Sequence, residues 1–418
     1  RDPEFVDAAD AWFARHEVAR GVAPAPAVAR PPMFQPFRLR DLSLKNRVIV
    51  SAMDMYSARD GDPNDFHLVH LGGKALGGAG LVMTEMVCVS PTGRITPGCT
   101  GLYTDAQADG WRRIVEFVHS QTTAAIGVQL GHSGRKGSTQ LMWEGMDEPL
   151  PDGNWPVVGP SPLAYSPANQ VPQELDLATM RTIRDEFVAC ARRARDAGFD
   201  LMELHCAHGY LLSSFLSPLT NHRTDEYGGT LADRLRYPLE VFDAVREVWP
   251  AEQPMSVRIS ATDWYPGGTD ADDAVAIASA FAAHGADAID VSTGQVVKEE
   301  QPAFGRSYQT PYADRIANTV DIAVIAVGAI SSAEDVNALI LAGRADLAAL
   351  GRTHLYDPMW TLHAAADQEY TGSGADWPAP FAAGRRKPQT TRTDGPKPRL
   401  ELIRDPGAGR TRHQRWRP

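Results

Sequence analysis

His205 and His208 stand three residues apart at the end of the apolar run Phe199-Asp-Leu-Met-Glu-Leu-His205, and Gly209-Tyr210 follows them directly. Two imidazoles and a phenol on one short turn gather hydrogen-bonding groups at the end of an expected strand, where polar residues read as catalytic in barrels of parallel strands. HxxH is also a zinc spacing. A zinc site needs a third and a fourth ligand, however, and no suitable Cys or carboxylate recurs nearby, so no metal site is expected. A lone His is commonly a satisfied core residue; a pair behind an apolar run and before Gly-Tyr fits that reading poorly.

A second constellation lies downstream. Gly328-Ala-Ile-Ser-Ser follows one apolar run, and Gly351-Arg352 follows the next. Glycines let backbone N–H groups approach an anion closely, and Arg352 adds a bidentate phosphate partner. These residues predict a phosphorylated cofactor or substrate.

The elements that must position them come in a regular beat. Eight short apolar runs alternate with segments of helical period: 46–53, 79–86, 124–130, 199–206, 255–260, 286–292, 323–328 and 345–351. Helices are expected over 177–198, 233–249, 269–285 and 332–343, and the spacing of Thr230 and Asp233 suits a capping box. Eight βα units predict a parallel sheet closed into a (β/α)8 TIM barrel, whose last two loops are the usual phosphate-binding place. An open doubly wound sheet would carry GxGxxG after an early strand; the glycines at 72–80 precede one, and read as a helix end and loop. Reading off the strand ends gives Ser51 to Tyr56, Glu85, Gln129, His205, His208, Arg258, Ser292, Gly328, Gly351 and Arg352. The long interruption at 131–178, rich in Gly, Pro and aromatics, is expected over the barrel mouth as a lid or substrate wall.

Around that barrel (33–368) the expected organisation is an N-terminal helix and Ala/Pro linker at 1–32 and a flexible basic tail at 369–418. The chain of 418 residues is 43% hydrophobic, which excludes disorder of its bulk. No apolar run reaches a membrane span, and the first thirty residues lack the apolar stretch of a secretory signal. Residues 382–418 hold eleven Lys/Arg against three Asp/Glu, a balance of +8, so the body carries −19 of the net −11. So acidic a body is a poor partner for nucleic acid. Four irregularly spaced cysteines form neither a disulfide framework nor an iron–sulfur pattern, and a reducing cytoplasm is the plain expectation.

VSAMDMYSA (50–58), QLGHSGRKG (129–137), ELHCAHGYLLSSFLSPLTNHRTDEYGGTLADR (203–234), SVRIS (256–260), AVGAI (326–330) and ADLAALGR (345–352) resemble the motifs of the old yellow enzyme family of FMN-dependent ene-reductases. The likeness runs over roughly 33–365. Within that family, the WEGMDEPLPDGNWP loop and the PMFQPFRLRDLSLKNRVIVSAM stretch resemble the reductase half of salicylyl-CoA 5-hydroxylase and anthraniloyl-CoA monooxygenase-type proteins, in which a flavoprotein monooxygenase half precedes it. Residues 1–20 would then be a remnant of the upstream half.

The resemblance implies FMN, with NAD(P)H as hydride donor. Ala52, Met53 and Met86 would lie against the flavin; Gln129 would bind its pyrimidine edge; Arg258 would neutralise the reduced ring. Gly328, Gly351 and Arg352 would hold the phosphate. His205 and His208 would donate to the substrate carbonyl, Tyr210 would deliver the proton, and Tyr56 would close the pocket. Asp54 is a departure, standing where many members carry an uncharged residue. It is expected to tune the flavin or touch a polar substrate group, unless it is a hydrogen-bonded carboxylate pointing away. Pro378 to Arg385 resembles a tail that inserts an arginine into a neighbouring subunit in some relatives, which implies a homo-oligomer. The implied substrate is a small molecule, an enone or a dearomatised aryl-CoA ring. Two other readings use the same barrel: a flavin-free lyase or isomerase on a phosphorylated substrate, and a non-catalytic flavin-binding module of a monooxygenase system.

Overall fold

The computed structural model describes residues 30–385, together with Ala8, Ala11 and Trp12, which are helical. The rest of the expected N-terminal helix and linker, and the tail from 386 onward, lie outside the described residues.

All eight apolar runs form strands: β1 (Val48–Val50), β2 (Leu81–Cys88), β3 (Ala125–Gly131), β4 (Leu201–Cys206), β5 (Met255–Ser260), β6 (Ala288–Ser292), β7 (Ala323–Ala326) and β8 (Leu347–Leu350). They pair in parallel in chain order, and β8 closes on β1 through Ala348 opposite Val48. Helices pack outside, among them α1 (Asp65–Leu76), α2 (Asp105–Gln121), α3 (Leu177–Ala197), α4 (Leu231–Val248), α5 (Ala271–Ala283), α6 (Thr310–Ala317) and α7 (Ala333–Leu341). The fold is a (β/α)8 barrel. A short hairpin of Phe37–Leu39 and Leu42–Leu44 lies before β1 in the chain.

Local chemistry explains the boundaries. Asp176 caps α3 by accepting from the Thr179 N–H, and the helix stops at Gly198, whose φ of 91° suits glycine alone. Thr230 caps α4 through the Asp233 N–H, but the expected reciprocal bond is absent: the Asp233 carboxylate accepts from the Thr230 hydroxyl instead. The glycines at 72–80 end α1 and lead into β2, as the bland reading requires. Met86 lies inside β2 and not after it, beyond a register shift between Met83 and Met86. The strand is longer than its apolar run because it continues through Val87 and Cys88.

Strand register does the positioning. Gln129 stands opposite Glu203, and His205, Arg258 and Asp290 stand side by side on β4, β5 and β6. Part of the expected tail packs on the body: Tyr370 stacks on Phe34 at 5.0 Å, and the Asn46 amide donates to the Gly374 carbonyl.

Trp111 on α2 is fully buried against Phe199, and its indole N–H donates to the Gly101 carbonyl at 3.1 Å. Trp111→Ala should lower unfolding stability by about 3–5 kcal/mol, measured by urea denaturation, through the cavity and the orphaned carbonyl.

Candidate active site

A cavity of about 340 Å³ opens at the C-terminal ends of the strands, within the size range of small-molecule sites. Ala52, Asp54, Tyr56, Gln129, His205, His208, Tyr210 and Arg258 all line it, eight of the thirteen residues expected to bind flavin or substrate, and Ser292, another strand-end residue, lines it too. The other five sit behind or beside it. Met53 packs toward Gly351, whose missing Cβ would meet its sulfur at 3.4 Å. Met86 is buried with Tyr210, Cys88 and Cys99. Gly328 abuts Gln309, itself a lining residue.

The imidazole pair has a defined geometry. The Ala207 N–H donates to His205 Nδ1 at 3.1 Å, so the neutral ring carries its proton on Nε2. That Nε2 lies 3.2 Å from His208 Nδ1, and His208 Nε2 lies 2.7 Å from Ser292 Oγ. Burial first, then the Arg258 charge, holds both rings well below the usual imidazole pKa, so both are neutral. His208 adopts φ +62°, a conformation costly for a side chain of its size. It is held there because its N–H donates to Ser260 Oγ and its carbonyl accepts from Lys136 Nζ.

The Tyr210 ring meets the His205 ring edge at 5.0 Å. Burial, with the nearby acids adding to it, pushes its phenol well above the ordinary value, so it keeps its proton. Its hydroxyl makes no hydrogen bond among the described residues. Tyr56, at φ +49°, sits edge-on to Trp143 at 6.4 Å, beneath the long β3–α3 segment. That segment does lie at the mouth: Thr139, Gln140, Met142, Met146 and Asp147 line the cavity, and Asp147 pairs with Lys298 across it at 3.0 Å.

Under the cavity runs a buried polar layer. Gln129 donates to Glu203 Oε1 at 2.9 Å, and Ser256 donates to Oε2 at 2.9 Å. Arg258 Nη1 reaches the Ala52 carbonyl at 3.4 Å, while its Nε lies 3.3 Å from Asp290 without hydrogen-bond alignment. Burial raises Glu203 to about 7 and raises Asp290 too.

Asp54 belongs to the cavity wall and is at the same time a hydrogen-bonded carboxyl group, its Oδ1 accepting from the Met86 N–H at 3.1 Å. Burial first and the Glu85 charge second lift its carboxyl to about 7. Glu85 in turn holds the loop after β1, accepting from the Met55 and Thr100 N–H groups.

Lys136, Glu203 and Asp290 went unremarked in the sequence. Lys136 lines the cavity, donates to the His208 and Gln295 carbonyls at 3.0 Å, and lies over the Tyr210 ring. Burial lowers it to about 8. The signal for Glu203 and Asp290 was a carboxylate inside each of two otherwise apolar strands. For Lys136 there was none, because its neighbours come from loops 70 and 160 residues away.

The site fits FMN. Arg258 lines the cavity with guanidinium N–H groups that no described acceptor takes up, a demand that an electron-rich ring carbonyl meets. At the other end, the N–H groups of Gly328, Ala329 and Gly351 make no hydrogen bond among the described residues. Gly328 stands at φ +108°, and a Cβ there would meet the Gln309 amide at 2.3 Å. Arg352 is exposed beside them with no bond from its guanidinium. Arg385, by contrast, donates to the Thr371 carbonyl of its own chain at 3.2 Å.

The profile of the NADH:flavin oxidoreductase / NADH oxidase family matches residues 32–370. The chain belongs to this family. It is 39% identical over 337 residues to the NADPH dehydrogenase of Geobacillus sp. (strain WCH70), covering 80% of this chain and 94% of that one. It is 38% identical over 335 residues to the NADPH dehydrogenase of Bacillus subtilis (strain 168), with the same coverage. Among solved structures, morphinone reductase in complex with tetrahydroNAD superposes with a TM-score of 0.67 at 29% identity, covering 84% of this chain and 98% of that one. The complex of 2-naphthoyl-CoA reductase with 2-naphthoyl-CoA superposes at 0.72 over 81% of this chain and 52% of that one. At 22% identity, that likeness shows the fold. This NADH:flavin oxidoreductase is an old yellow enzyme-type flavoprotein that uses FMN and takes hydride from NAD(P)H. Among the described residues, no helix is long and apolar enough to cross a membrane and no cluster of His, Cys, Asp and Glu could hold a metal.

Two outcomes test the site. Arg352→Ala should weaken FMN binding about tenfold in a fluorescence titration without changing the melting temperature, since the side chain is exposed. For Asp54, between pH about 4 and about 7 the folded FMN-free protein holds a proton that the unfolded chain has released. This contribution is therefore full below pH about 4 and lost as pH rises to about 7. Asp54→Asn should flatten that part of the stability profile in urea titrations at successive pH values.

Proposed function

We propose that the cavity is where this family's reaction, FMN-dependent reduction of an activated C=C bond by NAD(P)H, is carried out by His205, His208 and Tyr210. FMN, when bound, would supply the redox chemistry, the relay of hydride from NAD(P)H to the substrate's β-carbon. Everything else falls to the chain. Gly328, Gly351 and Arg352 would hold the phosphate, Ala52, Met53 and Met86 would lie against the ring, and Gln129 and Arg258 would bind its pyrimidine edge.

The observation that carries the reading is that two neutral imidazoles, a protonated phenol and the unpaired donors of Arg258 converge on one cavity. Hydride arriving at the β-carbon drives negative charge onto the carbonyl oxygen. Neutral imidazole donors aimed at that oxygen stabilise the charge with little reorganisation, and losing one such donor typically costs on the order of 10²–10³ in rate. The α-carbon then needs a proton, and the Tyr210 hydroxyl, which makes no hydrogen bond among the described residues, would give it. Tyr56 and the residues of the 139–147 segment would close over the substrate and exclude water.

For the substrate, two features favour a large, flat, partly apolar molecule. Met142, Trp143 and Met146 stand exposed at the mouth, and Phe304 is exposed in the loop after β6. A dearomatised aryl-CoA ring supplied by a flavoprotein monooxygenase suits that rim; a smaller free enone is the simpler alternative. Asp54, neutral in its lower pH range, would offer such a ring a hydrogen bond.

The purified protein should be yellow, be bleached by NADPH under anaerobic conditions, and be reoxidised by 2-cyclohexenone. Tyr210→Phe should slow reoxidation about 10²-fold or more while leaving bleaching within about threefold. A colourless protein that takes up no FMN would overturn the proposal, as would a Tyr210→Phe variant reoxidised at the parent rate.

A further inference from the structure

We propose that Ser292 is a positioning residue whose hydroxyl reverses its role at His208 Nε2, from acceptor to donor, so that both imidazoles can face the substrate oxygen as donors. The inference rests on the reading of His205 and His208 as the carbonyl-binding pair.

A conflict in the pair's own hydrogen bonding motivates it. His205 has one proton, on Nε2, because the Ala207 N–H occupies Nδ1. That proton points at His208 Nδ1, 3.2 Å away, so in the ligand-free chain His208 Nδ1 accepts. The neutral His208 ring then carries its proton on Nε2 and donates it to Ser292 Oγ at 2.7 Å. In this state the pair presents a single donor to the cavity, already spent inside the pair. One carbonyl oxygen placed between the two nitrogens can take the His205 proton. It gains a second donor only if His208 is protonated on Nδ1 instead.

That change demands a partner for the Nε2 lone pair, and only a group able both to accept and to donate can serve both states. A serine hydroxyl is such a group; a carbonyl or an amide N–H is not. The surroundings leave the hydroxyl free to turn. Its other contact is Gln309 Oε1 at 3.4 Å, long for a hydroxyl bond. Gln309 does not depend on it, because Thr293 Oγ1 donates to the same oxygen at 2.7 Å and the Gln309 amide donates to the Val327 carbonyl at 3.0 Å. The turn therefore gives up little. A flip of the ring does not serve the same end, since it would carry Nε2 away from Ser292 and Nδ1 away from His205. In proton terms, the Nε2 proton leaves to water and Nδ1 takes one from water before the substrate oxygen closes over it, with no net change in charge.

The test uses the FMN-loaded protein with ¹⁵N-labelled histidine, with and without phenol as a non-reacting oxygen ligand. Phenol should convert His208 from the Nε2–H to the Nδ1–H pattern in the parent protein, and Ser292→Ala should stay in the Nε2–H pattern. Reoxidation of the NADPH-reduced protein by 2-cyclohexenone should fall about tenfold in Ser292→Ala and recover to within about twofold in Ser292→Thr, with FMN content unchanged throughout. An unchanged His208 pattern on phenol addition to the parent overturns the inference. So does a Ser292→Ala variant reoxidised within twofold of the parent. His205→Ala and His208→Ala controls separate the two levels: if these are no slower than the parent, the carbonyl-binding reading fails, and with it the role of Ser292.

Discussion

A guanidinium held inside a closed ring of strands is the constraint on which the site depends. Arg258 lies buried between β4 and β6, with Asp290 on one side and Glu203 close by. A buried cation is costly unless paired and hydrogen-bonded, and this one is only partly satisfied by the protein. The layer beneath the cavity follows from that cost: Glu203 and Asp290 lie beside the guanidinium, Gln129 and Ser256 hold Glu203 by donating to its two oxygens, and Arg258 itself lines the cavity. The same charge helps keep the two imidazoles unprotonated, which makes them neutral donors and not competing cations.

Around this layer the loops are tied by side chains that reach long distances. Arg135 donates to the Leu163, Ala164 and Val296 carbonyls, and Lys136 to those of His208 and Gln295, so one short turn after β3 joins three loops of the mouth. Glu85 does the same for the loop after β1, which carries Asp54 and Tyr56 without regular structure. Rigid strands beneath and cross-braced loops above give a preformed pocket. Asp147, which lines the pocket, is held by its ion pair with Lys298.

Much of this was legible from the chain alone. Eight apolar runs with intervening helical periods were enough for the barrel, because strands buried on both faces must be continuously hydrophobic. The residues at their C-terminal ends were enough for most of the site, since that is the face a barrel opens to ligands. The helical period also ended one helix correctly at Leu177 and Gly198, and Thr230 was read correctly as a cap, although its box closed through a hydroxyl and not through the backbone. The second run was ended at Met86, two residues short of the strand, although Val87 and Cys88 are as apolar as its interior.

Residue types, their order and their periodicity thus determined the architecture and pointed to a phosphate-binding end, because these depend on spacing along one chain; FMN itself was implied only by the motifs' resemblance to a family. Tertiary structure alone decided who meets whom. Lys136 over Tyr210, Ser292 against His208, Glu85 behind Asp54 and the partial pairing of Arg258 all join groups at least thirty residues apart in sequence. Their energies come from burial and from hydrogen bonds across strands and loops, and neither quantity exists until the ring of strands has closed.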